Sequence, residues 1–124
     1  MTEVKSFRDL RIWQRAMDLV PAVYRLLDKL PREEKYGLAE QVRRAVVSVP
    51  ANIAEGHARK HTKEFLQHLS IARGSLAELL TLLLVAERLN YLAAEDVTRI
   101  EQQIADLAMP MNGLIRRLQA RAQG

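Results

Sequence analysis

Apolar residues recur along the chain at alternating steps of three and four, the spacing that places them on one face of an α-helix. Two such stripes occupy the first half of the sequence: Leu10, Trp13, Met17, Val20, Tyr24 and Leu27, then Leu38, Val42, Ala45, Val49 and Ile53. Two more occupy the second half: Phe65, Leu69, Ala72, Leu76, Leu79, Leu83 and Ala86, then Val97, Ile100, Ile104, Leu107, Met111, Leu114 and Leu118. No segment alternates with a period of two, so the pattern predicts helices without strands.

The stripes are separated by residues that interrupt helices. Pro31 disfavours helical backbone at the residue before it, Gly56 precedes a polar run, and Asn90 follows the third stripe. The pattern therefore predicts a single domain over residues 1–124, with helices at about 7–30, 33–57, 62–90 and 94–121. Because the connections are short, we expect an all-α, antiparallel, up-down-up-down four-helix bundle.

Three prolines, Pro21, Pro50 and Pro110, fall inside the predicted helices. Each removes a backbone hydrogen bond and should kink its helix or break it locally. At Pro50 the apolar spacing continues from Val49 to Ile53, so the pattern predicts one bent helix there.

The composition of this 124-residue chain narrows its chemistry. It contains no cysteine, which excludes disulfides, thiolate metal sites and cysteine nucleophiles. The net charge of +4 is uneven, because residues 1–63 hold 13 Lys and Arg against 8 Asp and Glu, whereas residues 64–124 hold 6 against 7. Such an excess permits a nucleic-acid partner without requiring one.

Basic residues of the first helix fall on one arc, roughly opposite Trp13 and Tyr24. The arc consists of Arg8, Arg11, Arg15, Arg25 and Lys29. A solvated face is one interpretation, and a track for nucleic-acid phosphates is the other. No aromatic residues interleave with the arc, so sequence-specific reading of a single strand is not expected. The candidate nucleic-acid-binding residues are Arg8, Arg11, Arg15, Arg43, Arg59, Lys60 and Lys63.

A polar stripe runs beside the apolar stripe of the second helix. It consists of Gln41, Arg44, Ser48, Asn52 and Glu55. Its short, mixed side chains favour a hydrogen-bonded seam between helices or subunits over a catalytic site. Arg44 and Glu55 lie too far apart on the helix to pair, so we expect their partners on other helices or chains, with Arg73 and Glu78 as candidates.

The third helix carries apolar residues on more than one side. Ile71, Leu82 and Val85 lie nearly opposite its core stripe. A single bundle cannot bury both faces, so the surplus predicts self-association. Gly74, which destabilises a helix by about 1 kcal/mol relative to Ala, indicates a close backbone approach there. The predicted structural or oligomer seam comprises Gln41, Arg44, Ser48, Asn52, Glu55, Arg73, Gly74 and Glu78.

No arrangement of residues points to catalysis, a cofactor or a metal. His57, His61 and Glu64 could hold a metal if they shared a helix face, but they straddle the predicted turn and lie in a basic run that repels cations. There is no phosphate-cradling Gly-rich loop and no Ser/His/Asp set at a recognisable spacing. Because the N-terminus is polar and the longest apolar run, residues 79–86, is shorter than a membrane span, we expect a cytoplasmic protein without a membrane partner.

Several segments together resemble a known family. They are residues 7–16, 34–38, 41–45, 48–56, 72–79 and 90–92, and the run Ser-Val-Pro-Ala-Asn-Ile-Ala-Glu-Gly at 48–56 is the most specific. Their order and spacing resemble the bacterial four-helix-bundle proteins encoded in 23S rRNA intervening sequences, some of which are described as ribosomal-protein-like. The chain also looks like a relative of the accessory variability determinants of diversity-generating retroelements. The resemblance implies a homopentameric barrel of bundles without catalysis and, for the retroelement relatives, a basic surface that engages nucleic acid and a reverse transcriptase.

Together these observations predict a non-enzymatic, homo-oligomeric binding protein that contacts structured RNA or a nucleoprotein complex through phosphate-directed basic residues. Five copies would multiply the charge of one chain, and multivalency would make weak sites effective. One alternative is an assembly or adaptor protein that docks another protein and has no direct role on nucleic acid. Another is a bundle that binds a small molecule or a metal. The expected partners are further copies of the chain, then RNA or DNA, or a partner protein.

Overall fold

The computed structural model describes residues 4–123 and contains four α-helices, so residues 1–3 and 124 of the predicted domain lie outside it. The helices are α1 (Arg11–Leu27), α2 (Leu38–Ala58), α3 (Thr62–Arg88) and α4 (Ala94–Gln123). No strand occurs in the described residues. Helices α1 and α3 each pack against both α2 and α4, which gives a four-helix bundle. Side-chain contacts pair the end of α1 with the start of α4 and the end of α2 with the start of α3, so these neighbours are antiparallel.

Two predicted helix starts, at residues 7 and 33, are too early. Phe7–Asp9 forms a separate turn of 3₁₀ helix, which is closed because Ser6 and Asp9 cap each other's backbone. The extended backbone of Leu10 then separates this turn from α1. At the second start, Arg32–Glu34 is another 3₁₀ turn, and α2 begins only at Leu38, whose N–H donates to the Glu34 carboxylate at 3.1 Å.

The apolar stripe predicted for the first helix is not its core face. Met17 and Tyr24 are 43% and 40% exposed. The buried residues of α1 are Ile12, Ala16, Leu19, Val23 and Leu26. The predicted stripe and the buried one both have helical spacing. The small side chains of Ala16 and Val23 in the buried stripe allow α1 to approach its neighbours closely, while the larger rings of Trp13 and Tyr24 lie at the edge of the core. The basic arc therefore borders the core on the side of α4 and does not lie opposite it.

The other three predicted stripes form the core. Their members are buried, apart from the half-buried Phe65 and Leu114. All three internal prolines lie inside continuous helices. Pro50 is itself buried, and because it has no N–H, the Val46 carbonyl lacks its usual helical donor.

By length and composition alone, α3 could cross a membrane. Its buried residues, however, face α2 and α4, so in this fold it serves as a core helix. Its outward face still carries exposed Ile71, Leu84 and Val85. The apolar surplus predicted for this helix is therefore present on the surface of the single chain.

Candidate nucleic-acid interface at one end of the bundle

The two ends of the bundle differ in charge. One end consists of residues 4–11, 57–65 and 114–123, and we call it the basic end. It carries nine Lys and Arg against two Asp and Glu, whereas the rest of residues 4–123 carries ten against twelve. The net charge is therefore +7 at this end and −2 over the remaining described residues, and Glu3 lies outside the described part of the chain.

The antiparallel packing brings the parts of this basic end together. The chain before α1, the turn between α2 and α3, and the last turns of α4 enclose a cavity of about 350 Å³. Its cationic or titratable lining residues are Lys60, Arg117, Arg121, His57 and His61. Arg117 also lines an adjacent cleft of about 270 Å³ together with Arg11. Cations from the α2–α3 turn and from α4 thus line the cavity, and Arg117 connects it with the neighbouring cleft that Arg11 lines.

Lys60 occupies an unusual backbone conformation at the end of α2. Its φ is 63°, in the left-handed region, and its N–H donates to the His57 carbonyl at 3.3 Å. This is the position after a helix at which glycine is usual, and an L-residue there costs roughly 1–2 kcal/mol. The chain thus places a cation at the cavity where glycine would be less strained.

Gly56 lies beside this cavity and is buried within α2, so its predicted place in a break between helices is wrong. A Cβ atom on Gly56 would lie 2.6 Å from the Cβ of His68 and 3.1 Å from Cδ1 of Phe65. Glycine therefore permits α2 and α3 to approach closely. Within residues 4–123 nothing approaches Gly74, because a Cβ there would meet no atom within 4 Å. The close approach predicted at Gly74 belonged to the contact between copies of the chain, and it stays a prediction.

The aromatic rings of His57 and Phe65 both line the cavity. Their centroids are 5.7 Å apart and their planes are nearly perpendicular, at 81°. The lining also includes the apolar side chains of Val4, Leu10, Leu114 and Leu118. The predicted lack of aromatic residues among the basic ones does not hold at this end. The Arg8 guanidinium lies 6.0 Å from the centre of the Phe7 ring, and α2 and α3 supply His57 and Phe65 beside the cavity.

Only some of the predicted nucleic-acid-binding residues meet at this end. Arg8, Arg11, Lys60 and Lys63 lie there, and no carboxylate among residues 4–123 comes within 4 Å of their charged groups. Arg59 is also at this end, but it pairs with both Glu55 and Glu64, at 3.2 and 3.8 Å.

Two other predicted candidates lie outside the basic end. Arg15 turns towards α4 and donates to the Asp106 carbonyl. Arg43 lies near the opposite end, where it donates to the Lys35 carbonyl at 3.0 Å, and it is therefore not part of the interface.

Arg117 and Arg121 were not predicted as site residues. They stand in the last turns of α4, in the half of the chain whose net charge is negative. The predicted antiparallel topology could have indicated these two arginines, because it places the end of the fourth helix beside the turn between the second and third helices.

Two residues of the predicted polar seam join α2 to α3. The Asn52 amide donates to the Ser48 hydroxyl at 2.9 Å, and the Ser75 hydroxyl donates to the same oxygen at 2.9 Å. The Asn52 carbonyl oxygen lies 3.0 Å from Nδ1 of His68. Since that oxygen is an acceptor, the His68 ring donates through Nδ1. Ser75 and His68 were not predicted as partners, because the sequence alone does not show which turns of two helices face each other.

The charged residues of the predicted seam behave differently. Arg44 and Glu78 line a polar cleft of about 440 Å³ with Gln41, but they form no ion pair in the described part of the chain. Arg73 was predicted as a partner for this seam, and the structure places it against α4 instead, 3.4 Å from the Asn112 side-chain oxygen. Glu55 pairs with Arg59 in its own helix rather than with another element.

Comparison with known proteins places the chain in a family. The family model for 23S rRNA-intervening sequence proteins matches residues 8–113. The chain belongs to this family. A solved structure of a protein with unknown function from the S23 ribosomal protein family of Bacteroides thetaiotaomicron is similar in fold, with 21% identity over 84% of this chain and 97% of the other, and a TM-score of 0.76. No curated protein matches the chain.

Two segments that resemble the 23S rRNA-intervening sequence family meet at the end opposite the basic end. Tyr91 donates to the Glu34 carboxylate at 3.2 Å, and the other oxygen of that carboxylate accepts the N–H that begins α2. Burial, and next this hydrogen bond, raise the pKa of Tyr91. Beside them, Lys29 donates to Asp96 at 2.6 Å. These contacts tie both loops of that end together, so the segments 34–38 and 90–92 have a structural role.

Proposed function

We propose that this 23S rRNA-intervening sequence protein is a non-enzymatic binding protein that contacts the phosphates of structured RNA through its basic end. The observation that carries the proposal is the excess of seven positive charges there, on residues from α1, α4 and the turn between α2 and α3. Clustered cations of this kind gain affinity for nucleic acid by releasing counterions. The charged groups of Lys60, Arg117 and Arg121 have no carboxylate of residues 4–123 within 4 Å, so they are available to a ligand.

The proposal includes self-association of the chain into a ring, with five copies as the expected number. A ring needs two different faces on each subunit. Two sets among the exposed apolar residues could supply such faces: Ile71 and Val85 on α3, and Met17, Tyr24 and Val47 on α1 and α2. A second copy of the chain would cover these residues, and Arg44 and Glu78, which form no ion pair within residues 4–123, lie on the same side of α2 and α3 as the first set. Repetition of the basic end around a ring would strengthen weak individual contacts.

Replacement of Lys60 by glycine tests the RNA contact. The substitution Lys60→Gly removes one cation and relieves the left-handed backbone, so it separates binding from stability. Against a folded rRNA fragment, we expect several-fold weaker binding and a salt slope smaller by about 1. We expect the melting temperature to stay the same or rise. Filter binding from about 50 to 200 mM salt measures the first two quantities.

Two matched variants serve as controls. Arg43→Gln removes a cation at the opposite end and should leave RNA affinity unchanged. Asn90→Gly makes the same backbone change at φ 65° without a change in charge, and should also bind normally. The proposal would be overturned by negligible binding at about 50 mM salt, by binding without salt dependence, or by equal losses in Lys60→Gly and Arg43→Gln. Capture of a protein partner by a chain that binds no RNA would instead support an adaptor.

A further inference from the structure

The cavity at the basic end combines two kinds of surface. Its rim carries Lys60, Arg117 and Arg121, and its lining includes the rings of His57 and Phe65. A track for duplex phosphates needs only the cations, since a duplex keeps its bases stacked inside. Phe65, Leu114 and Leu118 close the end of the bundle core. Contact with phosphates makes no use of the parts of the His57 and Phe65 rings that line the cavity.

The size of the cavity limits what can enter. A volume of about 350 Å³ lies at the lower end of the range for small-molecule sites. A ligand of this size with both an anionic and a planar apolar part is a single nucleotide. The perpendicular rings of His57 and Phe65 would offer one face and one edge to a planar base.

The start of α3 adds a further attraction for an anion. His61, the residue that caps this helix, makes no side-chain hydrogen bond to it, so the first N–H groups of the helix remain without a side-chain acceptor. Both His61 and Thr62 line the cavity. Backbone donors and a positive helix dipole thus reinforce the cations already at the rim.

We infer that this cavity binds one unpaired nucleotide of an RNA, with the base against Phe65 and the phosphate at Lys60, Arg117 and Arg121. The inference rests on the proposed function and specifies which part of the RNA the basic end would recognise. The RNA recognised would carry a bulge, a loop or a single-stranded end beside its duplex. Lys60 and Phe65 lie within the part of the chain that the family model matches, whereas Arg117 and Arg121 lie beyond residue 113, where that match ends.

A set of three short RNAs tests the inference. The first is a blunt duplex, the second is the same duplex with a short single-stranded overhang, and the third carries that overhang with its bases removed. All contacts to overhang phosphates are kept in the third RNA. Stacking of one base on an aromatic ring is worth about 1–3 kcal/mol, so we expect the intact overhang to bind roughly 5- to 150-fold more tightly than the abasic one.

Replacement of Phe65 by leucine keeps an apolar side chain and removes the ring. Phe65→Leu should bring the ratio of intact to abasic affinity close to one and leave binding to the blunt duplex unchanged. Tyr36→Leu is the matched control, because Tyr36 is an aromatic residue outside the basic end that is 81% exposed before the start of α2. It should keep the wild-type ratio.

The outcomes separate this inference from the function on which it rests. Salt-dependent binding to all three RNAs with equal affinity would overturn the nucleotide site and retain phosphate binding by the basic end. Absence of binding to every RNA would overturn both. Should Phe65→Leu fail to fold, the wild-type comparison of intact and abasic overhangs decides the question without it, and a ratio of one counts against the site.

Discussion

At the scale of single residues, two glycines in helices have opposite surroundings. Gly56 continues the apolar spacing of Val49 and Ile53, and a Cβ atom placed on it would lie 2.6 Å from the Cβ of His68 on α3. Gly74 lies on the outer surface of α3 with open space around it. The spacing of Gly56 with the stripe was a signal for burial, but its position before a polar run favoured a break. The sequence could not show which glycine faces a neighbouring helix.

Alanine substitution at these two positions should change stability in opposite directions. In Gly56→Ala, neither the new Cβ nor the Cβ of His68 can rotate away, so the helices must separate. Overpacking typically costs about 1–3 kcal/mol, while alanine gains roughly 1 kcal/mol of helix propensity. We therefore expect the free energy of unfolding to fall by about 1 kcal/mol. Urea denaturation followed by circular dichroism measures the change.

Gly74→Ala is the comparison, and it should raise the free energy of unfolding by up to about 1 kcal/mol, since only helix propensity changes. An unchanged stability in Gly56→Ala would contradict the close approach. A loss at Gly74 would show that this glycine contacts another chain, as the sequence pattern suggested.

At the scale of elements, the end of α1 is held to the start of α4 by a buried carboxylate. Asp96 accepts from Lys29 at 2.6 Å and from Arg99 at 3.2 Å. The hydrogen bond from Lys29 lowers the pKa of Asp96, and this effect outweighs burial, which acts in the opposite direction. The negative charge also lies in the first turn of α4, where a helix favours it. This ion pair connects two elements that are far apart in sequence.

Acid should weaken this connection. Because the pKa of Asp96 is lower in the folded chain than in the unfolded one, its stabilising effect is complete above the unfolded value of about 3.9. It is lost as the pH falls through the folded value. We expect Asp96→Asn to be less stable than the wild type at pH 7, with the difference shrinking as the pH falls below about 4. Denaturant midpoints measured across pH follow both proteins.

Asp18→Asn is the control for this titration. Asp18 is an exposed carboxylate on α1 with no cation of residues 4–123 within 4 Å. The difference in stability between Asp18→Asn and the wild type should stay constant across the pH range. A constant difference between Asp96→Asn and the wild type from pH 7 to pH 2 would contradict the assigned role of the ion pair.

Helix positions were predictable from the apolar spacing because a helix needs only local information. The core face of α1 was not, since two neighbouring stripes share that spacing and only the packing of Ala16 and Val23 decides between them. The cross-helix partners of Ser48 and Asn52, and the arginines that join Lys60 from α4, depend on which turns face each other. Such contacts are set by how the helices pack together, and no regular spacing of residue types in the sequence indicates them.

At the scale of the whole molecule, the distribution of charge matters more than its sum. A net charge of +4 creates only a weak electric field around the chain, but +7 at one end and −2 over the other described residues make the charge distribution strongly asymmetric. In a closed ring every basic end would take an equivalent position by symmetry. Under the proposed function, the strength of the RNA contact depends on assembly into a ring, which would use the exposed apolar residues of α1, α2 and α3.

Charge placed in one of these faces should dissociate the ring. The wild type is expected to have a mass near five times that of the 14.1 kDa chain in native mass spectrometry or light scattering. Ile71 is 51% exposed in the single chain, so a charged side chain at this position is compatible with folding. In a ring, the substitution Ile71→Glu would bury a carboxylate at the contact between subunits, which is costly. We therefore expect this variant to be a folded monomer. Met109→Glu is the control, because Met109 is 76% exposed on α4, outside both faces, and this variant should keep the wild-type mass.

Loss of the ring should also reduce RNA affinity, since a monomer presents one basic end where five would act together. We expect Ile71→Glu to bind the rRNA fragment more weakly than Met109→Glu at the same salt concentration, although the two variants carry the same charge and the same basic end. Equal binding by monomer and ring would mean that one basic end is sufficient, which removes multivalency from the proposal. A wild type that is monomeric at micromolar concentration would contradict self-association and leave the apolar faces to another partner.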